Sequence, residues 1–529
     1  MKMQLTTLVE EVRLMGERSI NEEFIDVHDI LLNGRERFGS KPFVISVDQE
    51  ISLSFLDIYE YTAKLANFLK SKGLSKANRI CLIGKNCVET LIIFFGILRY
   101  GAVVCPINFE ESLENVTRII ARVKPDLCFY DKEFAFGCFT GCPLSIAYSE
   151  SSLREKTDFF SSLDRYSPSF DEPLGDPEDI AEILFTSGTT EKPKGVAISR
   201  EGLFLMVDEV ISKLELTSEY RVLEYRAYSW ASTQLLSLFS TLRVGATLIL
   251  ARKFSRSNFA EWLKKYNVTI SSGVPTVINI LVSDPIELDK DDVPELKYMT
   301  SSSAPLSVEK QCEFERIYGI RINQMAGMTE AGWMIGNPPR KSKVGSVGTP
   351  FLHKQVAILD EKGQECPEGV EGEVVVRGRS LAVGYLNDKG EVDPFPRDGF
   401  RTGDIGYRDS EGYVFITGRK KDLIIRGGVN ISPKEVTDRV MRHPGVREAV
   451  TIGIPDRIYG EEVACFIVPK DKTKVSSEDI LTHCRTTLPD FKLPKIVRFL
   501  DQIPKTERGK VSKNALLRML NEGESRMDL

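Results

Sequence analysis

Leu184 to Ser199 read LFTSGTTEKPKGVAIS. Thr186, Ser187, Thr189 and Thr190 set four hydroxyls around Gly188, and Lys192 and Lys194 flank Pro193 with positive charge. Hydroxyls and backbone amides curved by a glycine form a concavity that binds anions, phosphate above all. The pattern GxxxxGK[ST] is absent, so the loop is not that of the P-loop nucleotidases. Taken alone, a serine- and threonine-rich surface loop is the plain alternative. Against it stands AEILF, an apolar strand that runs straight into the hydroxyl cluster.

A loop of this kind needs a scaffold, and the chain before it supplies one. SLSFLDIYEYTAKLANFLKSKGL has apolar residues at helical spacing and stops at Gly73. NRICLIGKN reads as a buried strand, CVETLIIFFGILRYGA as a buried helix ending near Gly101, and VVCPIN as another strand. Strand–helix–strand alternation, which recurs through Ile320, implies a parallel-rich sheet layered with helices. After about Lys343 the texture changes. The glycine-rich, alternating stretch GSVGTPFLHKQVAILDEKGQECPEGVEGEVVVRG predicts a small antiparallel β unit. PKEVTDRVMRHPGV, REAVTIGIP, EEVACFIVPK and SEDILTHCRTTLP then make a compact α+β domain. The boundary falls in the charged stretch from Gly418 to Asp422, giving a large domain over 1–420 and a small one over 421–529.

With 529 residues, 42% hydrophobic and 28% charged, the chain has the composition of a globular protein with a large core. A net charge of −6 disfavours nucleic acid as the main partner. The N-terminal stretch has acids at Glu10 and Glu11 and no signal-peptide core. The best apolar run, Leu91 to Leu98, ends at Arg99 and is too short to span a bilayer. A cytoplasmic protein with no membrane span is expected. Ten cysteines occur without a CxxC. With only His28, His353, His443 and His483 beside them, they read as reduced buried thiols rather than a zinc site.

The phosphate-type loop does not stand alone. LFTSGTTEKPKG, SSSAPL (301–306), MAGMTEAG (325–332), VGSVGTP (344–350), GEVVVRG (372–378), RTGDIG (401–406), GRKKDLIIRGG (418–428) and PKTERGKVSK (504–513) follow one another in order. This ordered set, over nearly the whole chain, resembles the adenylate-forming superfamily of AMP-dependent synthetases and ligases. Acyl-CoA synthetases, non-ribosomal adenylation domains and luciferases belong to it. The resemblance implies a two-step reaction. A carboxylate attacks the α-phosphate of MgATP to give acyl-adenylate and pyrophosphate, and a thiol, often that of coenzyme A, then takes the acyl group.

The same resemblance distributes the roles. Thr186, Ser187, Gly188, Thr189, Thr190 and Lys194 would hold the β- and γ-phosphates. Glu330, assisted by Thr186, would hold Mg²⁺, which takes few protein carboxylates beside phosphate oxygens and water. Thr329 would meet the α-phosphate, and Met325, Ala326, Gly327 and Met328 lead into it. Ser303, Ala304 and Pro305 would border the adenine. Asp404 would accept both ribose hydroxyls, with Arg419 on ribose or phosphate. Lys510 would stabilise the charge that builds between carboxylate and α-phosphate. Lys421 occupies the hinge position of a domain rotation that withdraws Lys510 before the thiol enters. Gly427 and Gly428 would face the coenzyme A tunnel, with a tight turn as the plain alternative.

Three positions depart from the family pattern. Glu191 stands where glycine is usual, Ala326 where an aromatic often stacks on adenine, and Ser229 where many acyl-CoA synthetases place a gate histidine. Ser229, Trp230, Ser303 and Gly327 would line the acyl pocket. Between Tyr225 and Gly245 there is no acid, and Ser232 sits near the place of the aspartate that amino-acid-activating relatives use. An unpaired buried ammonium is costly, so an amino acid is disfavoured. Trp230 takes up volume and favours a small, medium or aromatic acid. Arg226 is the one nearby charge that could pair with a second carboxylate, a surface arginine at a strand end being the plainer reading.

An acid–CoA ligase is thus expected. The alternative is a stand-alone adenylation enzyme that loads a carrier protein's phosphopantetheine. Only Asn514 to Leu529 follow the last motif, with no carrier domain, which favours free coenzyme A. A non-catalytic nucleotide-binding protein would have lost Lys510, Glu330 or Asp404, and all three are present.

Overall fold

The computed structural model describes residues 25–134, 141–151, 158–172, 175–186, 193–396, 399–470, 475–505 and 511–524. Ser187, Gly188, Thr189, Thr190, Glu191 and Lys510 lie outside them.

Two large sheets form the body. One has nine strands, and its centre is parallel: Pro42–Ser46, Thr247–Leu250, Arg221–Glu224, Ile270–Ser271, Tyr298–Ser301 and Ile322–Met328 run side by side in that order. Pro42–Ser46 is joined in register to Thr247–Leu250, Val44 opposite Leu248. The other has eight strands. Ile180–Thr186, Val103–Asn108, Arg79–Gly84, Leu127–Asp131 and Ser145–Tyr148 are parallel in it. In open sheets of parallel strands, ligands bind in the crevice beyond the carboxyl ends. Those ends are where SSSAPL, the GMTE hairpin and Thr186 stand.

The helices form where the sequence sets caps. Ser54 and Asp57 close a capping box on Phe55–Ser71, with Asp57 N–H donating to Ser54 Oγ at 3.1 Å. Gly101, at φ 91°, ends Val88–Tyr100 in the left-handed conformation. That helix is buried along its whole length, Arg99 included, which explains why its sequence is apolar all round. One continuous core joins it to Phe55–Ser71 and to residues of both large sheets, among them Val44, Leu82, Val104 and Leu248.

The antiparallel β unit is present as a four-stranded sheet of Lys354–Leu359, Gly372–Gly378, Phe400–Arg408 and Val414–Arg419. It is less separate than its texture implies. Gly384–Leu386 and Val392–Pro394, between its second and third strands, leave it and extend the eight-stranded sheet beside Lys194–Ser199. A buried ion pair also fastens it to the body. Lys354 Nζ lies 2.9 Å from Glu209 Oε2, on helix Arg200–Leu214, and donates to Ser380 Oγ, which donates to Glu209 Oε1.

A five-stranded sheet beginning at Ile424 carries helices Pro433–Met441 and Ser477–Arg485 and has its own core around Val463, Cys465 and Ile467. It meets the rest of the chain through Ser432 Oγ, which donates to the Thr417 carbonyl at 2.6 Å, and through Arg442 Nε, 2.9 Å from Glu309 Oε1. Among the described residues no helix is long and apolar enough to cross a membrane.

Candidate active site

Thr186 is the last residue of strand Ile180–Thr186, and Lys194 is its register partner on the returning strand Lys194–Ser199. Ile180–Thr186 and Lys194–Ser199 are therefore an antiparallel pair that begins and ends on either side of the hydroxyl cluster in the sequence. The next strand of that sheet, Gly384–Leu386, sets Tyr385 opposite Val196. Lys194 Nζ then lies 5.3 Å from the centre of the Tyr385 ring, at cation–π distance.

Glu330 comes from the other large sheet. Ile322–Met328 turns back as Gly332–Gly336, and Thr329 and Glu330 occupy the tip. Gly327 is needed for that hairpin itself, because a Cβ there would stand 2.5 Å from the Gly332 carbonyl oxygen. Glu330 is only 6% exposed, and Tyr385 Oη donates to its Oε1 at 2.7 Å. Burial and the carboxylate both hold the Tyr385 hydroxyl protonated, its pKa raised far above the phenol range. No cation pairs with Glu330 among the described residues. A buried carboxylate with a hydroxyl donor and no counter-charge is a fit place for a metal ion. Thr186, Lys194, Tyr385 and Glu330 are thus tied into one cluster across the two sheets.

Asp404 and Arg419 form a second group. They are register partners on adjacent strands, and Arg419 Nε lies 2.6 Å from Asp404 Oδ1. Asp404 is largely buried, and desolvation raises its pKa against the opposing pull of Arg419. Ser303 follows strand Tyr298–Ser301 and is exposed with Ala304 and Pro305. Its φ of 70° is unusual for a residue with a side chain. Such conformations collect at ligand sites. Met325, Ala326 and Met328 lie on the strand that ends just before Thr329, where Ala326 faces Ile335 in register.

The acyl side required a correction. Arg226 is no surface arginine. It is 4% exposed, and its Nη2 lies 2.6 Å from Oε2 of Glu224, which is fully buried. Its charge is therefore already balanced by an acid that precedes Tyr225 by one residue. Ser229 and Trp230 follow on the same loop, and Ser229 is buried.

Lys421 lies in the short 3₁₀ turn Lys420–Asp422 between the four-stranded sheet and the small domain's sheet. Gly427 and Gly428 take φ of 58° and 84° at the tip of the hairpin Ile424–Arg426 to Val429–Ile431. Two successive positive φ angles are what a two-residue hairpin turn demands, so the turn alone accounts for both glycines. Exposed Tyr459 stands beside that tip, its carbonyl accepting from the Gly427 N–H at 2.8 Å.

Sequence reasoning missed Tyr385 and Glu224. Tyr385 sits in AVGYLND, where nothing but a lone phenol marks the stretch. Only the pairing with Lys194–Ser199 shows where the hydroxyl goes.

A family model described as AMP-binding enzyme matches residues 33–386, and one described as AMP-binding enzyme C-terminal domain matches 435–510. An oxalate–CoA ligase of Arabidopsis thaliana is 32% identical over 497 residues, covering 92% of this chain and 96% of that protein. A sulfoacetate–CoA ligase of Cupriavidus necator is 30% identical over 513 residues, covering 95% of this chain and 99% of its own. The ATP-bound crystal structure of MatB from Rhodopseudomonas palustris superposes with a TM-score of 0.84 at 26% identity, over 94% of this chain and 99% of that one.

Proposed function

The chain belongs to the AMP-binding enzymes and to their AMP-forming acid–CoA ligases, and on that premise we propose that it activates a small, medium or aromatic carboxylic acid as its acyl-adenylate and passes the acyl group to coenzyme A. The observation that carries the reading is the cluster of Lys194, Tyr385 and Glu330 beside the strand end at Thr186.

Thr186 to Thr190 and Lys194 cradle the β- and γ-phosphates, and Glu330 with Thr186 holds Mg²⁺. The metal supplies charge neutralisation on the triphosphate. Thr329 meets the α-phosphate, Ser303, Ala304 and Pro305 border the adenine, and Asp404 with Arg419 takes the ribose. An oxygen of the substrate carboxylate forms a bond to the α-phosphorus while the bond to the departing pyrophosphate breaks, with Lys510 at the bridging oxygens. The coenzyme A thiol then attacks the acyl carbon and AMP leaves. The division of labour is a large domain over 1–420 and a small one over 421–529 that turns at Lys421, with Gly427 and Gly428 toward the pantetheine arm.

Tyr385 is a positioning residue in this scheme. A hydrogen bond to a charged acceptor contributes roughly 1.5–3 kcal/mol, and loss of a partner one shell out from a metal costs about 10–100-fold in affinity. Tyr385→Phe is expected to raise the Mg²⁺ concentration for half-maximal pyrophosphate release by about tenfold, with a smaller change in the saturated rate. An unchanged Mg²⁺ titration would remove Tyr385 from this role.

The function itself is tested by pyrophosphate release from MgATP across short aliphatic, aromatic, dicarboxylic and amino acids, with and without coenzyme A. Acid-dependent release that turns over only with coenzyme A is the expected result. Release that stalls at one equivalent despite coenzyme A would point to a carrier-protein thiol. No release with any acid, in folded protein that binds ATP, would end the ligase reading.

A further inference from the structure

The loop that follows strand Arg221–Glu224 holds buried polar groups that the reaction steps do not use. Glu224 is saturated. Its Oε1 accepts from the Tyr225 and Arg226 backbone N–H groups and from Arg226 Nε at 2.8–2.9 Å. Its Oε2 accepts from Arg226 Nη2 and from Ser237 Oγ, both at 2.6 Å. Arg226 is not. Its Nη1 reaches only Ser232 Oγ at 3.4 Å and Ser302 Oγ at 3.5 Å, the outer limit of a hydrogen bond. Ser302 is the residue immediately before the exposed Ser303, at the carboxyl end of a parallel strand. On the same loop as Arg226, Ser229 Oγ and Trp230 Nε1 are buried with no hydrogen-bond partner among the described residues.

These groups are rich in donors and neutral in charge. A buried N–H without a good acceptor costs free energy, so such a wall favours a ligand that brings acceptors. The Glu224 carboxylate already cancels the guanidinium, so a second anion brought there would be buried without a counter-charge. An uncharged oxygen satisfies the donors without that penalty.

We propose that the acid activated here carries an uncharged acceptor oxygen, a hydroxyl or a carbonyl, remote from the reacting carboxylate, and that Arg226 Nη1 with Ser302 and Ser232 selects for it. The proposal rests on the acid–CoA ligase reading for the identity of the ligand as an acid. A merely structural Glu224–Arg226 pair would hold the loop without discriminating between acids.

The test uses matched alkanoic and arylcarboxylic acids in three forms: unsubstituted, with one hydroxyl or keto oxygen, and with a second carboxylate at the same carbon. Binding is measured by calorimetry on the full chain with a non-hydrolysable ATP analogue, and pyrophosphate release is measured in parallel. The oxygenated form is expected to bind about tenfold or more tighter than both others, as for a site built to hydrogen-bond a substrate hydroxyl. Ser302→Ala, which leaves the charge pair intact, should shrink that ratio severalfold without lowering the melting temperature. Tightest binding of the unsubstituted or dicarboxylic form overturns the proposal, as does a ratio unmoved by both Ser302→Ala and Ser232→Ala. Acid-dependent pyrophosphate release without a binding preference also overturns it and leaves the ligase standing. A binding preference without release from any acid upholds the selection and sinks the ligase.

Discussion

Lys510→Ala is expected to lower acid-dependent pyrophosphate release by about a hundredfold or more, the scale of a lost electrostatic donor in a water-excluded site. The lysine lies outside the described residues, but the residues that bracket it are fixed. Lys505 pairs with Val511 as an antiparallel bridge, the Ser512 N–H donates to the Pro504 carbonyl at 2.9 Å, and Lys505 Nζ lies 2.7 Å from Glu448 Oε1. Lys505 and Val511, on either side of it in the sequence, are thus held together on the small domain. Transfer from preformed acyl-adenylate to coenzyme A needs no charge at the α-phosphate bridge, so the variant should keep most of its rate in that half. Near-normal pyrophosphate release would remove Lys510 from the chemistry. Equal loss in both halves would remove the division of labour between them.

Lys354→Met unfolds the protein more easily by about 3–5 kcal/mol near pH 8, the cost of breaking a buried ion pair from one side. Lys354 and Glu209 are almost wholly buried, and Ser380 bridges them. Burial pushes the Glu209 carboxyl up to about 7 with Lys354 still beside it, from 4.5 in the unfolded chain. Between those values the folded state holds more protons than the unfolded one. The stability that protonated Glu209 contributes is therefore full below the unfolded value and is lost as pH rises through the folded one. Without the lysine the folded value moves higher still, so the deficit shrinks toward pH 5. Urea denaturation at both pH values checks this, and a deficit that does not change with pH would contradict it. Adding Glu209→Met should recover most of the loss, because paired removal leaves no buried charge.

The layered fold was legible because its signals are local. The capped helix at Ser54, the helix stop at Gly101 and the apolar strands each announce themselves within a few residues. The motif order also named the residues whose types carry chemistry. What stayed hidden depends on pairing between distant stretches. The strand that delivers Tyr385 to Glu330 follows the stretch that reads as a small β unit, and nothing local shows that it joins the eight-stranded sheet. Arg226 reads as a charge at a strand end, and its burial against Glu224 follows from the packing of helix and sheet around it rather than from its neighbours. Gly427 and Gly428 were legible as a turn, and the hairpin confirms the turn.

The join between Pro42–Ser46 and Thr247–Leu250 has a consequence for the newborn chain. These strands are neighbours in the sheet, yet Pro42 and Thr247 are 205 residues apart. On the ribosome, Pro42–Ser46 and its hairpin partner Ile51–Ser54 emerge long before the strand they must join, leaving an apolar edge unpaired. At ordinary elongation rates that edge waits roughly 10–40 s. Chaperone demand during synthesis should therefore end only once residue 250 has cleared the exit tunnel.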